Sequence, residues 1–476
     1  MIDRHWLSAH ELAAAYAAGR TTPADVVDTL LERIAALDRR LNAFVYVDRD
    51  AALREARFAT AALRRGGRGG PLHGIPYAVK DNLDAVGLAT TCHSRLMLDH
   101  VAARDADVVC RMRAAGAILI GKLALHEFAF GGPSFDLPFP PARNPWHLDH
   151  FTGGSSSGCG AALAAGFVPL AIGSDTAGSI RNPAGACGVV GLKPTLGLVS
   201  CTGLHPLAPS LDHVGPMARS VTDIAHTLDV IADAAAGAAT DRYTAELDAG
   251  VRGLSIGYVR HFHERDMIAD ADVAAAIDEA ARVLACEGAQ VQDVTLAPLQ
   301  RMASVQRVIL LSEAWATHQR ALCERPGDFA AMSRRKMMAG AFLSAADYMA
   351  AQQQRQQLIA LVDDVLANVD VALMANSLDP PCRLDDEEAL ARTYPRQTRA
   401  PFNLTGHPAL AMICGLSAHG LPLSLQLVGR RHDEAKLLRV ARAFERATDW
   451  LSLHPTLSTG TGQGSPLQQR DRGADS

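Results

Sequence analysis

The residues best suited to chemistry lie in two glycine- and serine-rich clusters. The first reads Thr152-Gly-Gly-Ser-Ser-Ser-Gly-Cys-Gly160 and the second Gly173-Ser-Asp-Thr-Ala-Gly-Ser-Ile-Arg-Asn-Pro183. A third motif, Gly188-Val-Val-Gly-Leu-Lys-Pro-Thr195, follows them. Glycines let a backbone take positive φ and approach a ligand closely. Successive free N–H groups in such turns can cradle an oxyanion, and serines supply hydroxyls. The pattern suits a serine nucleophile with a backbone oxyanion hole. It suits a phosphate loop less well, because no Gly-Lys-Ser/Thr follows.

A rival assignment uses the same glycines. Gly154-Ser-Ser-Ser-Gly158 fits G-x-S-x-G, which would make Ser156 the nucleophile of an α/β-hydrolase elbow. That elbow needs a strand directly before it, and Trp146 to Thr152 is a poor strand. It also needs a late histidine. His407, squeezed in Gly-His-Pro, reads as structural.

Upstream stands Val79-Lys-Asp-Asn82. The chain holds five lysines (Lys80, Lys122, Lys193, Lys336 and Lys436) against 41 arginines. A lysine can act as a base only after its pKa is brought down. A shift from about 10.4 to about 7 costs about 4–5 kcal/mol, which apolar burial can impose. Lys80 follows the apolar run Ile75-Pro-Tyr-Ala-Val79.

Taken in order, these motifs resemble the amidase signature family of serine hydrolases. The resemblance runs from Gly74-Ile-Pro to Ser210-Leu-Asp-His-Val-Gly-Pro216. It resumes at Phe402-Asn-Leu-Thr-Gly-His-Pro408 and Leu421-Pro-Leu-Ser-Leu-Gln-Leu-Val-Gly429. The resemblance implies a Ser–cis-Ser–Lys triad. Ser179 would be the nucleophile, Ser155 the bridging serine on a cis peptide, and Lys80 the base. The N–H groups of Thr176, Ala177, Gly178 and Ser179 would form the oxyanion hole. Phe130-Gly-Gly-Pro-Ser134 (Phe130, Gly131, Gly132, Pro133 and Ser134) matches the loop that lines the acyl pocket in this family. Trp315, Met337, Met338, Phe342 and Tyr394 are candidates for the leaving-group wall. Ser156, Asp175 and Arg181 read as structural support. Ala177 stands where a second glycine is frequent, and Cys159 where a serine is frequent. Lys193 is a second basic candidate outside the triad position.

The implied activity is hydrolysis of C–N bonds in small amides, including aryl amides and carbamates (urethanes). Two alternatives stand beside it. One is a glutaminase-type subunit of a tRNA-dependent amidotransferase, and the other a non-catalytic binding protein that keeps the fold. No metal and no organic cofactor is expected. His261-Phe-His-Glu264 reads as an exposed polar loop, and His126-Glu127 lacks the second histidine of a zincin motif.

The elements that must position these residues follow from periodicity. The fold class expected is α/β, a large mixed sheet with helices on both sides. Residues 8–66 look helical, with caps at Ser8 and Thr22 and apolar residues recurring from Val26 to Leu37 at helical spacing. Pro76–Lys80, Ala117–Ile120, Phe167–Ile172, Val371–Met374 and Leu423–Val428 read as strands. Asp105–Ala115, with Asp105 as a cap, and 272–285, 343–367 and 433–447 read as helices. Residues 1–455 are expected to form one domain. Within it lie a helical region to residue 70, a core over 71–235, a variable helical region over about 240–400 and a closing element over 401–455. Residues 456–476 are rich in Thr, Gly, Ser and Gln and are expected to be disordered.

Composition bounds the rest. The 476 residues carry 46 Lys+Arg, 51 Asp+Glu and 48% hydrophobic residues. That near-neutral balance argues against broad binding to nucleic acid or membranes. Nine cysteines without CxxC pairs suit a reduced, cytoplasmic protein. The uncharged stretch 151–174 is too rich in Gly and Ser for a membrane span. A small-molecule amide or carbamate is the expected partner, and a monomer or homodimer the expected state.

Overall fold

Short apolar runs become strands of one sheet. The computed structural model describes residues 3–67, 70–233 and 242–457. Its strands are β1 (Phe44–Val47), β2 (Pro76–Lys80), β3 (Ile118–Leu123), β4 (Leu170–Asp175), β5 (Val190–Lys193) and β6 (His213–Ala218). They continue as β7 (Ser255–Tyr258), β8 (Gln290–Asp293), β9 (Val371–Ala375), β10 (Ala409–Leu416) and β11 (Pro422–Gly429). The order across the sheet is β1-β3-β2-β4-β6-β5-β10-β11-β9-β7-β8. β2 runs parallel to both β3 and β4, β7 runs parallel to β8 and β9, and the other pairs are antiparallel. Helices pack on both faces, and the fold is α/β. No helix among the described residues is long and apolar enough to cross a membrane.

The side-chain period of two sorts β2 between two cores. Tyr77 and Val79 join the core that holds Leu170 and Ile172. Ala78 enters the opposite core with Ala171 and the helix Ser157–Ala164. Lys80 shares the side of Ala78, so it points toward the serine-rich cluster that opens that helix.

Several helices are set by their caps. Thr22 and Asp25 form a capping box ahead of Pro23–Leu41, and Ser344 and Asp347 form one ahead of Ala345–Ala367. Elsewhere the structure corrects the sequence reading. The N-terminal helical stretch is interrupted by β1, which adds the edge strand to β3. The strand expected at Phe167 starts at Leu170, because Pro169 has no N–H to give the ladder. Its far end reaches Ser174 and Asp175. Asp105 caps no helix. Its Oδ1 accepts from Val86 N at 2.7 Å and its Oδ2 pairs with Arg113, while the helix Asp107–Ala114 begins after Ala106. The stretch His261–Glu264 is not an exposed loop. His261 and His263 are buried, and His261 Nε2 accepts from Leu296 N at 3.1 Å. The polar tail from 458 onward lies outside the described residues.

Candidate active site

Lys80 is the last residue of β2, and Ser174 and Asp175 close the neighbouring parallel strand β4. Ligands in α/β sheets collect beyond the carboxyl ends of such strands. Here the two serine clusters meet. Lys80 Nζ lies 2.8 Å from Ser155 Oγ and 2.9 Å from Ser174 Oγ. Ser174 Oγ also accepts from Asn82 Nδ2 at 3.0 Å. Lys80 is 0% exposed, and burial pulls its pKa down to about 8. Among the described residues it makes no ion pair, and burial outweighs the pull of Asp175 and Asp212, so the neutral amine is accessible near neutral pH.

Ser155 sits on a cis Gly154–Ser155 peptide bond. Its carbonyl accepts from His126 N at 3.0 Å, and Gly154 O accepts from Asn182 Nδ2 at 3.3 Å. Ser156 N donates to Ser179 O at 3.1 Å, tying the two clusters together. Ser156 is fully buried, and its Oγ donates to Ser174 O at 3.2 Å. It also follows irregular chain rather than a strand, so the elbow geometry is absent. Ser179 is 8% exposed, against 1% for Ser155, so it is the less covered of the two. Among the described residues no hydrogen bond joins its Oγ to Ser155. Such contacts are often loose in unliganded sites and tighten on binding.

Asp175 braces the loop that carries Ser179. It accepts from Gly178 N at 2.7 Å, Ile180 N at 3.1 Å and Arg181 N at 3.4 Å. Arg181 pairs with it through Nε at 3.1 Å and Nη2 at 3.0 Å. The rest of that guanidinium reaches Arg399 O, Gln426 Oε1 and Asn403 Oδ1. Burial alone would raise the Asp175 pKa. The Arg181 guanidinium and Asn403 outweigh it and hold the carboxyl well below the usual range. One correction follows for the oxyanion hole. Gly178 N–H is spent on Asp175, which leaves Thr176, Ala177 and Ser179 from the expected set of donors.

The other expected residues are scattered. Gly132, Pro133 and Ser134 line a small cavity with His126 and Thr152. Phe130 packs between two apolar clusters, and Gly131 O accepts from Lys336 Nζ. Of the residues proposed for the leaving-group wall, Tyr394 lies edge-on to His126 at 6.2 Å, and Trp315 packs on the same apolar cluster as Phe130. Phe342 is exposed on the surface and Met337 is buried with Phe329. Lys193 and Lys122 are as buried as Lys80. Lys193 Nζ donates to Pro194 O at 2.9 Å, and Lys122 pairs with Asp81 at 3.0 Å. Cys159 packs in the core beside Ile172. Sequence reasoning did not single out Ser174 as a partner of Lys80, although it stands in the second motif.

A family model described as Amidase matches residues 25–438. The chain belongs to the amidase signature family. With that it joins enzymes that hydrolyse carbon–nitrogen bonds. It is similar to a glutamyl-tRNA(Gln) amidotransferase subunit of Roseiflexus sp. (strain RS-1), at 38% identity over 484 residues, covering 95% of this chain and 99% of that protein. A solved structure, described as a vestigial protein complex revealing the evolutionary origins of an s-triazine catabolic enzyme, superposes with a TM-score of 0.86. It is 32% identical and covers 92% of this chain and 98% of that one. The peptide amidase of Stenotrophomonas maltophilia superposes with a TM-score of 0.80 at 31% identity, covering 92% of this amidase-signature chain and 96% of its own.

Proposed function

We propose that this protein hydrolyses carboxamides through an acyl-enzyme on Ser179. The observation that carries the reading is the buried Lys80 amine, 2.8 Å from Ser155 Oγ and without an ion pair among the described residues. Neutral Lys80 takes the Ser155 proton as Ser155 takes that of Ser179. Ser179 Oγ then attacks the carbonyl carbon. The Thr176, Ala177 and Ser179 N–H groups stabilise the oxyanion. The proton returns through Ser155 to the leaving nitrogen, and the C–N bond breaks. Water enters by the same relay and releases the acid.

The relatives favour glutamine as the amide and a glutaminase-type subunit of an amidotransferase as the setting, ahead of aryl amides and carbamates. Their shared name and near full-length coverage support this reading. It adds protein partners to the small-molecule substrate. A second reading, a free amidase for small amides, draws on the likeness to the peptide amidase. Assay of the purified chain separates them. Glutamine turnover that requires added partner subunits supports the first. Turnover of simple amides, anilides or carbamates by the chain alone, without ATP or tRNA, supports the second. Undiminished activity in Ser179→Ala would defeat both.

A further inference from the structure

The N–H groups given to the oxyanion lie on peptide planes that are held at their carbonyls. In a trans peptide the C=O and the following N–H point in opposite directions, so holding one aims the other. The one cis bond among the described residues is Gly154–Ser155, so the planes of the Ser179 loop are trans. Asp175 O accepts from Asn403 Nδ2 at 2.9 Å, which aims Thr176 N–H away from Asn403. Thr176 O accepts from Gln306 Nε2 at 3.2 Å, which aims Ala177 N–H away from Gln306. Gly178 O accepts from Asn182 N at 2.7 Å, which fixes the plane carrying Ser179 N–H. Among the described residues none of these three N–H groups has an acceptor.

Of the three holders, Gln306 alone comes from outside the motifs. It lies on the helix Leu299–Glu324, in the expected variable region. Its neighbours on the buried face, Met302, Val305 and Ile309, pack in one apolar cluster with Leu211 and the half-buried Ala177. Gln306 is itself buried. An amide there costs free energy unless it is bonded, and methionine or leucine would fill the space without that cost. The Thr176 side chain is held as well. Its Oγ1 donates to Asp212 Oδ1 at 2.6 Å, and Asp212 Oδ2 accepts from Leu207 N at 2.9 Å and Ala208 N at 3.1 Å. Thr176 is thus gripped at its carbonyl and at its hydroxyl, which keeps its plane with Ala177 from turning.

We propose that Gln306 is a positioning residue for the reaction. By holding Thr176 O it points Ala177 N–H at the oxyanion, and Asp212 is the second grip on Thr176. The proposal rests on Ser179 as nucleophile and on the loop N–H groups as donors. It makes a helix of the variable region a determinant of rate rather than of substrate fit.

The kinetics of fluorophosphonate labelling of the full-length protein test this. Ser179 Oγ attacks phosphorus as its proton passes through Ser155 to Lys80, and fluoride leaves. The charge that builds on the phosphoryl oxygen falls to the oxyanion donors. In Gln306→Met the labelling rate at saturating probe, kinact, should fall about tenfold or more, while the half-saturating concentration, KI, stays within about twofold. Asp212→Asn should shift the same constant. Gln306→Leu and Asp212→Asn supply the test if circular dichroism shows Gln306→Met unfolded. Wild-type values of both constants in a folded variant, or a change in KI with kinact unaltered, would overturn the proposal. The nucleophile reading fails separately, by labelling that survives Ser179→Ala.

Discussion

At the scale of single residues, the proposed chemistry turns on one amine. Arginine cannot replace Lys80, because a guanidinium keeps its proton at any pH the fold would survive. Lys80→Met keeps most of the volume and removes the base. Turnover is expected to fall about 10³-fold or more while the protein stays folded, as for members of other catalytic triads. Near-normal turnover in a folded Lys80→Met would remove Lys80 from the relay. The pH profile carries the same sign. Below a pKa of about 8 the amine holds its proton, so kcat/KM should climb with pH and level off above that value. A profile flat from pH 6 to 9 would contradict a lysine base. Lys80, Ser155 and Ser179 were legible because each stands in a contiguous motif. The contact of Ser174 with Lys80 was not. It joins the ends of two strands 94 residues apart in sequence, and only the parallel pairing of β2 with β4 brings them together.

At the scale of elements, the loop after β4 is held by a buried ion pair. Removing one partner of such a pair leaves a charge without its mate, so Arg181→Met should cost about 3–5 kcal/mol in denaturant unfolding. A loss below about 1 kcal/mol would show that the surrounding amides carry the loop alone. The pair also sets an acid limit. The Asp175 carboxyl is held below its ordinary value, so its stabilisation is complete above about pH 4. It fades as pH falls through that value toward the folded pKa. Gly178 is a second fixed point of the same loop. It has φ +115°, and an added Cβ would meet Arg399. Gly178→Ala is therefore expected to lose both stability and labelling of Ser179, with a stability cost of about 1–3 kcal/mol from overpacking. Wild-type melting and labelling would refute that. Element boundaries were read less well than element types. Pro169 delayed β4 by three residues, and Asp105 spent its carboxylate on a neighbouring loop instead of a cap. The first follows from Pro169 itself, while the second depends on Val86 and Arg113, which the fold brings to Asp105.

At the scale of the whole molecule, one sheet of eleven strands joins β1, at the start of the chain, to β10 and β11 near its end. Strands from the expected variable region, β7, β8 and β9, complete it through β11. Heat should therefore unfold the protein in a single transition, seen alike by circular dichroism and tryptophan fluorescence. Two separated transitions would show that 240–400 comes apart on its own.

The burial of Lys80, Lys122 and Lys193 has a practical consequence. The only lysines left with any solvent contact are Lys336 and Lys436, and both are partly covered. Amine-reactive dyes, crosslinkers and resins will therefore find few lysine handles on the native molecule. The three buried amines become available only when the sheet opens. Their acylation, read by mass spectrometry, would time the opening of the active-site core separately from the rest of the chain.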